Sequence, residues 1–256
     1  MARRRKDTKL PAPFLRSLSV NGKALTGRCG YPFDLPWLGP EFELDFSEPV
    51  TILVGENGTG KSTLMEAIAA LAGYDEAGGG KGYMPVDHSM ALDKSGSDLS
   101  KVLRAGWLPK VTDGWFFRAE TFFSVARYQD EAAQLYGGAA PNFLSFSHGE
   151  GFVRFFDERM SRQGIYFLDE PESALSPKRQ LELLRVLKSL QEAANAQVIM
   201  ATHSPILMAL PGADVWQITR AGIAHVDFKE TPHFKLYRAF VDDPDGFITD
   251  ALDDLV

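Results

Sequence analysis

Cys29 is the chain's single cysteine, so no internal disulfide can staple the fold and a reducing compartment is expected. Long apolar runs are missing too. No stretch reaches the roughly 18 to 20 consecutive apolar residues that a membrane-crossing helix needs. The opening MARRRKDTKL carries positive charge with no apolar run behind it, unlike a secretory leader, and the expected location is the cytoplasm. Basic charge is scarce overall: 27 Lys and Arg stand against 34 Asp and Glu, for a net charge of −7. No global positive field therefore advertises nucleic-acid binding. The local exception is Arg3, Arg4, Arg5, Lys6 and Lys9. This cluster reads as a solvated, disordered tail within residues 1–12, with a nucleic-acid contact as the alternative. Internal repeats and coiled-coil heptads are also absent.

What is present is ordinary globular material: 256 residues, 45% hydrophobic and 24% charged, enough for a substantial core. The opening YPFDLPWLGPEFELDF suggests short strands and tight turns. PVTILVGENGTGKSTLMEAIAALAG passes from a β-branched run through glycines into helical spacing. Residues 74–100, rich in Gly, Ser and Asp, read as a long mobile loop. GWFFRAETFFSVARY suggests a strand leading into a helix, FVRFFDERMSR a helix, and IYFLDE a buried strand. Ser176 is expected to cap a helix with Pro177 at its first position and with Leu181, Leu184, Leu187 and Leu190 along one face. QVIMATHS reads as another buried strand and DVWQITRAGIAHVDF as a closing hairpin. Strands alternating with helices predict an α/β fold, a mostly parallel core sheet flanked by helices, with an antiparallel β portion near the N-terminus.

Residues 55–62, GENGTGKS, match the phosphate-binding loop pattern in strand–loop–helix context. Gly55, Gly58 and Gly60 let the backbone curl so that its N–H groups point inward at phosphate oxygens. Glu56, Asn57, Thr59 and Thr63 complete the predicted ATP-binding stretch. Lys61 supplies a point charge between β- and γ-phosphates, and Ser62 offers a hydroxyl to Mg²⁺. The nearby GGGKG (78–82) has no preceding strand and no Ser or Thr after its lysine, so it is not read as a second such loop. Asp169 and Glu170 end an apolar strand beside the phosphates, where Asp169 would hold Mg²⁺ through water and Glu170 would orient or deprotonate the attacking water. His203, after the apolar strand QVIMAT, could reach the γ-phosphate or that water.

The order of phosphate loop, FSHGEG, acidic strand end followed by SALSP, and histidine resembles the ABC-type ATPases, over about residues 45–220. The resemblance implies that Ser147, His148, Gly149 and Glu150 form the signature that opens a helix and completes the ATP site of a second copy. A head-to-tail, ATP-sandwiched homodimer follows, with SALSP (173–177) on its seam. It also implies a loop carrying a metal-proximal glutamine; Glu120 or Gln129 would fill that role. Tyr31 and Phe33 are the candidates for the adenine-stacking aromatic, although core packing suits them as well. Only 27 residues separate Glu120 from Ser147, little room for the membrane-docking subdomain of transporter ATPases. Together with Glu150 and the GENG form of the loop, this makes the chain more similar to the soluble RecF-like and chromosome-maintenance branch, and to small stand-alone bacterial ATPases of the ABC/AAA-like group. The implied organisation is one ATPase domain over 13–240, with an insertion or helical subregion at about 74–146 and a tail over 241–256. The implied activity is Mg²⁺-dependent ATP hydrolysis that drives a switch on another macromolecule, DNA or protein. An ATP-binding transporter subunit and a regulatory nucleotide-binding module of a defence or toxin–antitoxin system are the alternatives.

Overall fold

The computed structural model describes residues 10–76, 78–81, 95–118 and 148–253, with side chains from 151 onward in the last stretch. Nine strands form two sheets among the described residues. The smaller is antiparallel, in the order β2 (Glu43–Asp45), β1 (Leu15–Val20), β4 (Leu103–Trp107). The larger runs β5 (Gly114–Arg118), β6 (Gly164–Asp169), β7 (Ala196–Ala201), β3 (Val50–Val54), β8 (Asp214–Thr219), β9 (Gly222–His225). All its pairings are parallel except the closing β8–β9 hairpin.

Every residue of β3, β6 and β7 is buried, as continuous apolar strands in a sheet covered on both faces must be. Alternation along each strand divides them between two cores. Ile52, Val54, Phe117, Leu168 and Met200 face one, while Leu53, Phe116, Phe167 and Ile199 face the other. The first core is covered by α4 (His148–Met160) and α5 (Pro177–Ala193). The second is covered by α2 (Lys61–Ala72) and the small sheet. A one-turn helix, α1 (Gly22–Leu25), follows β1. Beyond β7 come α6 (Pro205–Met208), then after β9 the pair α7 (Pro232–Asp242) and α8 (Pro244–Asp253). A domain boundary after residue 240 thus falls inside α7.

Three local expectations need correction. Residues 95–100 are not loop but a short helix, α3 (Ser95–Ser100), laid against α2. A Cβ on Gly96 would sit 2.3 Å from the Cβ of Glu66, so glycine permits the approach, and a sequence as helix-poor as SGSDLS hides it. The buried face of α5 is Gln180, Leu183, Leu187 and Leu190, with Leu184 at its margin and Leu181 53% exposed. Steps of three residues fall short of a helical turn by about 60° each, so 181, 184, 187 and 190 spiral off the face. Ser176 occupies the N-cap before Pro177, yet its hydroxyl makes no capping bond.

The two sheets are tied by Gln197, which is fully buried on β7. Its Oε1 accepts from the backbone N–H of Phe14 and Leu15, both at 2.8 Å, and its Nε2 donates to the Leu15 carbonyl at 3.0 Å. Gln197→Leu leaves those three backbone groups without partners, and we expect a loss of about 2 kcal/mol in the urea-unfolding free energy.

Candidate nucleotide site

The loop between β3 and α2 turns on glycines. A Cβ on Gly55 would lie 2.3 Å from the Ile218 carbonyl oxygen of β8, so only glycine lets the loop pass that strand. Gly60 sits at φ 91°, in the left-handed region, directly before α2. The Trp37 indole donates to the Thr59 carbonyl at 2.8 Å, and the Tyr31 hydroxyl bonds that of Thr63. Lys61 donates to the carbonyls of Gly55 (2.8 Å) and Glu56 (3.0 Å), at the start of the curl. Burial lowers its pKa, against the pull of Glu170 and Asp169.

Strand order then decides what faces the loop. Because β7 lies between β3 and β6, the residues after β7 sit between the phosphate loop and the acids after β6. Ser62 Oγ donates to Asp169 Oδ1 at 3.3 Å. Glu170 adopts φ 48°, a left-handed conformation unusual for a non-glycine residue, and its Oε1 lies 3.6 Å from His203 Nε2. Burial, with Lys61 nearby, holds the His203 pKa below its ordinary value and favours the neutral ring. So Lys61, Ser62, Asp169, Glu170 and His203 share one sheet edge. A cleft of about 410 Å³ opens over Gly55–Thr59, walled by the end of β8 and the residue after it (Gln217–Arg220) and by Pro232 and His233.

Ser62 and Asp169 present hard oxygens side by side. Magnesium typically takes one or two protein ligands and fills its octahedron with phosphate oxygens and water, so the pair fits it. Among the described residues no group of three or more His, Cys, Asp or Glu could hold an ion by itself.

Several residues here carried no warning in the sequence. Glu172 ties the 3-10 turn Pro171–Ala174 to the end of β7, accepting from the Thr202 hydroxyl at 2.8 Å and the His203 N–H at 2.6 Å. Arg118, ending β5, donates to Glu66 at 2.7 Å, lies 3.6 Å from Asp169 Oδ2, and reaches the Glu76 carbonyl at 3.0 Å. Glu66, one turn beyond Ser62 on the buried face of α2, was findable as an acid where helical spacing demands an apolar residue. Burial outweighs Arg118 and pushes its pKa up to about 7. Its contribution to stability is therefore fully present below pH 4.5 and is lost as pH rises through about 7. We expect wild-type stability to fall relative to Glu66→Gln across that window, read from thermal unfolding at pH 5 and pH 8.

Among the remaining candidates, His148, Gly149 and Glu150 form the first turn of α4, while Ser147, Glu120 and Gln129 lie outside the described residues. Phe33 packs at the margin of the second core and Tyr31 is 53% exposed. In the SALSP stretch Leu175 is buried, whereas Ser176 and Pro177 are exposed. In the GGGKG segment, Gly79 bridges Phe116 of β5 through hydrogen bonds of 2.6 and 3.0 Å.

A family model described as "AAA domain, putative AbiEii toxin, Type IV TA system" matches residues 143–209, and one described as "AAA domain" matches residues 37–102. The zinc import ATP-binding protein ZnuC of Photobacterium profundum is 29% identical over 60% of this chain and 58% of its own length. The hemin import ATP-binding protein HmuV of Streptomyces coelicolor is 30% identical over 68% of this chain and 65% of its own. The chain thus spans about three fifths of such relatives. Among solved structures, cbiO1 from Clostridium perfringens has a TM-score of 0.48 at 15% identity, covering 93% of this chain and 100% of that one. The SMC head domain from Thermotoga maritima has a TM-score of 0.44 at 17% identity, covering 84% and 98%. With the glycine loop after β3, the acidic end of β6 and the residues after β7 gathered on one edge of a mostly parallel sheet, the chain is similar in sequence to ATP-binding proteins of the ABC type.

Proposed function

We propose that the chain binds ATP with Mg²⁺ and hydrolyses it, and that ATP closes two copies head to tail into a switch acting on another macromolecule, with DNA as the first candidate. The observation that carries this reading is the arrival of Lys61, Asp169, Glu170 and His203 from three adjacent strands at one edge. Lys61 would leave its loop carbonyls for the β- and γ-phosphate oxygens of the substrate. Glu170 would accept a proton from the attacking water, and His203 would hold the γ-phosphoryl group or that water in line. Magnesium, held through Ser62 and Asp169, would neutralise charge on the transferred group.

The head-to-tail arrangement is supported by α4. Phe152, Phe155 and Phe156 pin the helix to Phe117 of β5, with ring centroids 4.3 to 6.3 Å apart. At its other end the Tyr166 hydroxyl donates to the carbonyls of Arg159 (2.8 Å) and Arg162 (3.0 Å). These contacts anchor the helix body to the sheet, and the N-terminus of the helix, beginning at His148, suits a partner's γ-phosphate. A soluble, cytoplasmic protein of the RecF-like branch is the setting this reading favours. The relatives named above favour a second one, in which the chain is the ATP-binding subunit of an importer. The description of the first family model favours a nucleotide-binding module of a toxin–antitoxin system.

The test measures phosphate release from pure protein with and without Mg²⁺ and duplex DNA, and mass in solution with ATP for Glu170→Gln. Mg²⁺-dependent release raised by DNA, together with an ATP-dependent dimer, is expected. A membrane partner recovered by pulldown with no response to DNA selects the importer. An absence of turnover selects the binding module, and a strictly monomeric ATP-loaded variant rejects the sandwich.

A further inference from the structure

His203 does not stand alone at the end of β7. Its Nδ1 lies 3.1 Å from Nε2 of His233, with the rings tilted at 56°. His233 is the second residue of α7, set by Pro232 at the first position and by Thr231 at the N-cap. Thr231 is fully buried and its hydroxyl accepts from the Phe234 N–H at 3.2 Å. This ring is therefore held by the start of a helix.

When both rings are neutral, two of their four tautomer combinations keep a hydrogen bond between His203 Nδ1 and His233 Nε2, and burial lowers both pKa values toward that neutral state. In the first, His203 Nδ1 donates to His233. His203 Nε2 then turns a lone pair on the Glu170 carboxylate 3.6 Å away. His233 Nδ1, buried without a hydrogen-bond partner among the described residues, is left as an orphaned N–H. Both ends are penalised. In the second, His233 Nε2–H donates to His203 Nδ1. His203 Nε2, also without a hydrogen-bond partner among the described residues, then turns its N–H toward the Glu170 carboxylate 3.6 Å away, an electrostatic attraction instead of a repulsion, and only a bare acceptor is left at His233 Nδ1. The second arrangement is favoured at each end.

We propose that His233 is a positioning residue whose Nε2–H fixes His203 as the Nε2–H tautomer, the form that donates a hydrogen bond to the γ-phosphoryl oxygen or the attacking water. This deepens the reading above and rests on it for the role of His203. The wrong tautomer at an otherwise intact site presents a lone pair where a donor is needed.

The chain has five histidines, few enough to assign by substitution in long-range ¹H–¹⁵N spectra of ¹⁵N-histidine-labelled protein. At pH 8 the expected pattern is protonated Nε2 and bare Nδ1 on both rings, with His203 losing that bias in His233→Phe. A protonated Nδ1 on His203 in the wild type overturns the proposal, whether or not the protein hydrolyses ATP. In turnover, His233→Phe keeps a ring but no donor, and should lower kcat by about 10-fold or more with KM nearly unchanged. His233→Gln, which keeps an N–H near the same place, should recover most of it. Equal losses in both variants, or none in the Phe variant, reject a proton-placing role. Absence of turnover in the wild type instead rejects the ATPase reading and leaves the spectra to decide this one.

Discussion

Glu170→Gln is expected to slow phosphate release by about 10²- to 10⁴-fold while ATP binding persists. The side chain sits on a left-handed backbone at the end of β6, 3.6 Å from His203, and does not hold the strands together. Its backbone N–H bonds the Ala201 carbonyl at 3.0 Å in either variant, so the turn should survive. The amide keeps the size and loses the basicity. Phosphate release under single-turnover conditions, beside equilibrium binding of a labelled nucleotide, separates the two effects. Unchanged turnover would move the base role to another group, with Glu172 excluded by its commitments to Thr202 and His203.

Phe152→Ala should cost about 3 to 5 kcal/mol, the usual range for emptying a buried ring position. Phe152 is fully buried, 4.3 Å from Phe117 and 4.9 Å from Phe156 between ring centroids. The neighbours on β5 cannot collapse into the void without leaving the sheet. For a chain of this size the melting temperature should fall by roughly 6 to 20 °C. Phe240→Ala, at an α7 position 38% exposed, is the control and should move it far less. Because Phe152 lies one turn from the tip of α4, the double variant with Glu170→Gln should also form fewer ATP-dependent dimers. Melting and mass measurements check the two parts separately.

How much was legible in the sequence follows from what sets each feature. The phosphate loop, the strand ending in Asp169 and the strand leading to His203 are written in contiguous residues, where glycine placement and an apolar run decide the outcome. The parallel sheet and closing hairpin were readable for the same reason. What was missed is contact between residues far apart. Gln197 looks like a polar intruder until β1 arrives to bond it. Arg118 gains meaning from Glu66 and Asp169, which lie 52 residues before it and 51 after. His233 belongs to the site because α7 returns there. The leucine face of α5 failed differently: a step of three looks helical locally but does not keep its heading over four residues. Glu120, Gln129 and Ser147 lie outside the described residues, so their expected roles rest on the resemblance alone.

β7 is pegged at both ends, by Gln197 to β1 and by Thr202 and His203 to Glu172. A slide by a single position would turn Gln197 away from β1 and flip every side chain to the wrong core. The strand therefore behaves as a ruler clamped on opposite sides of the molecule. The stretch from residue 197 to residue 203 sets where the imidazole meets its target, and loosening the distant clamp should blur that setting even with every group around the cleft intact.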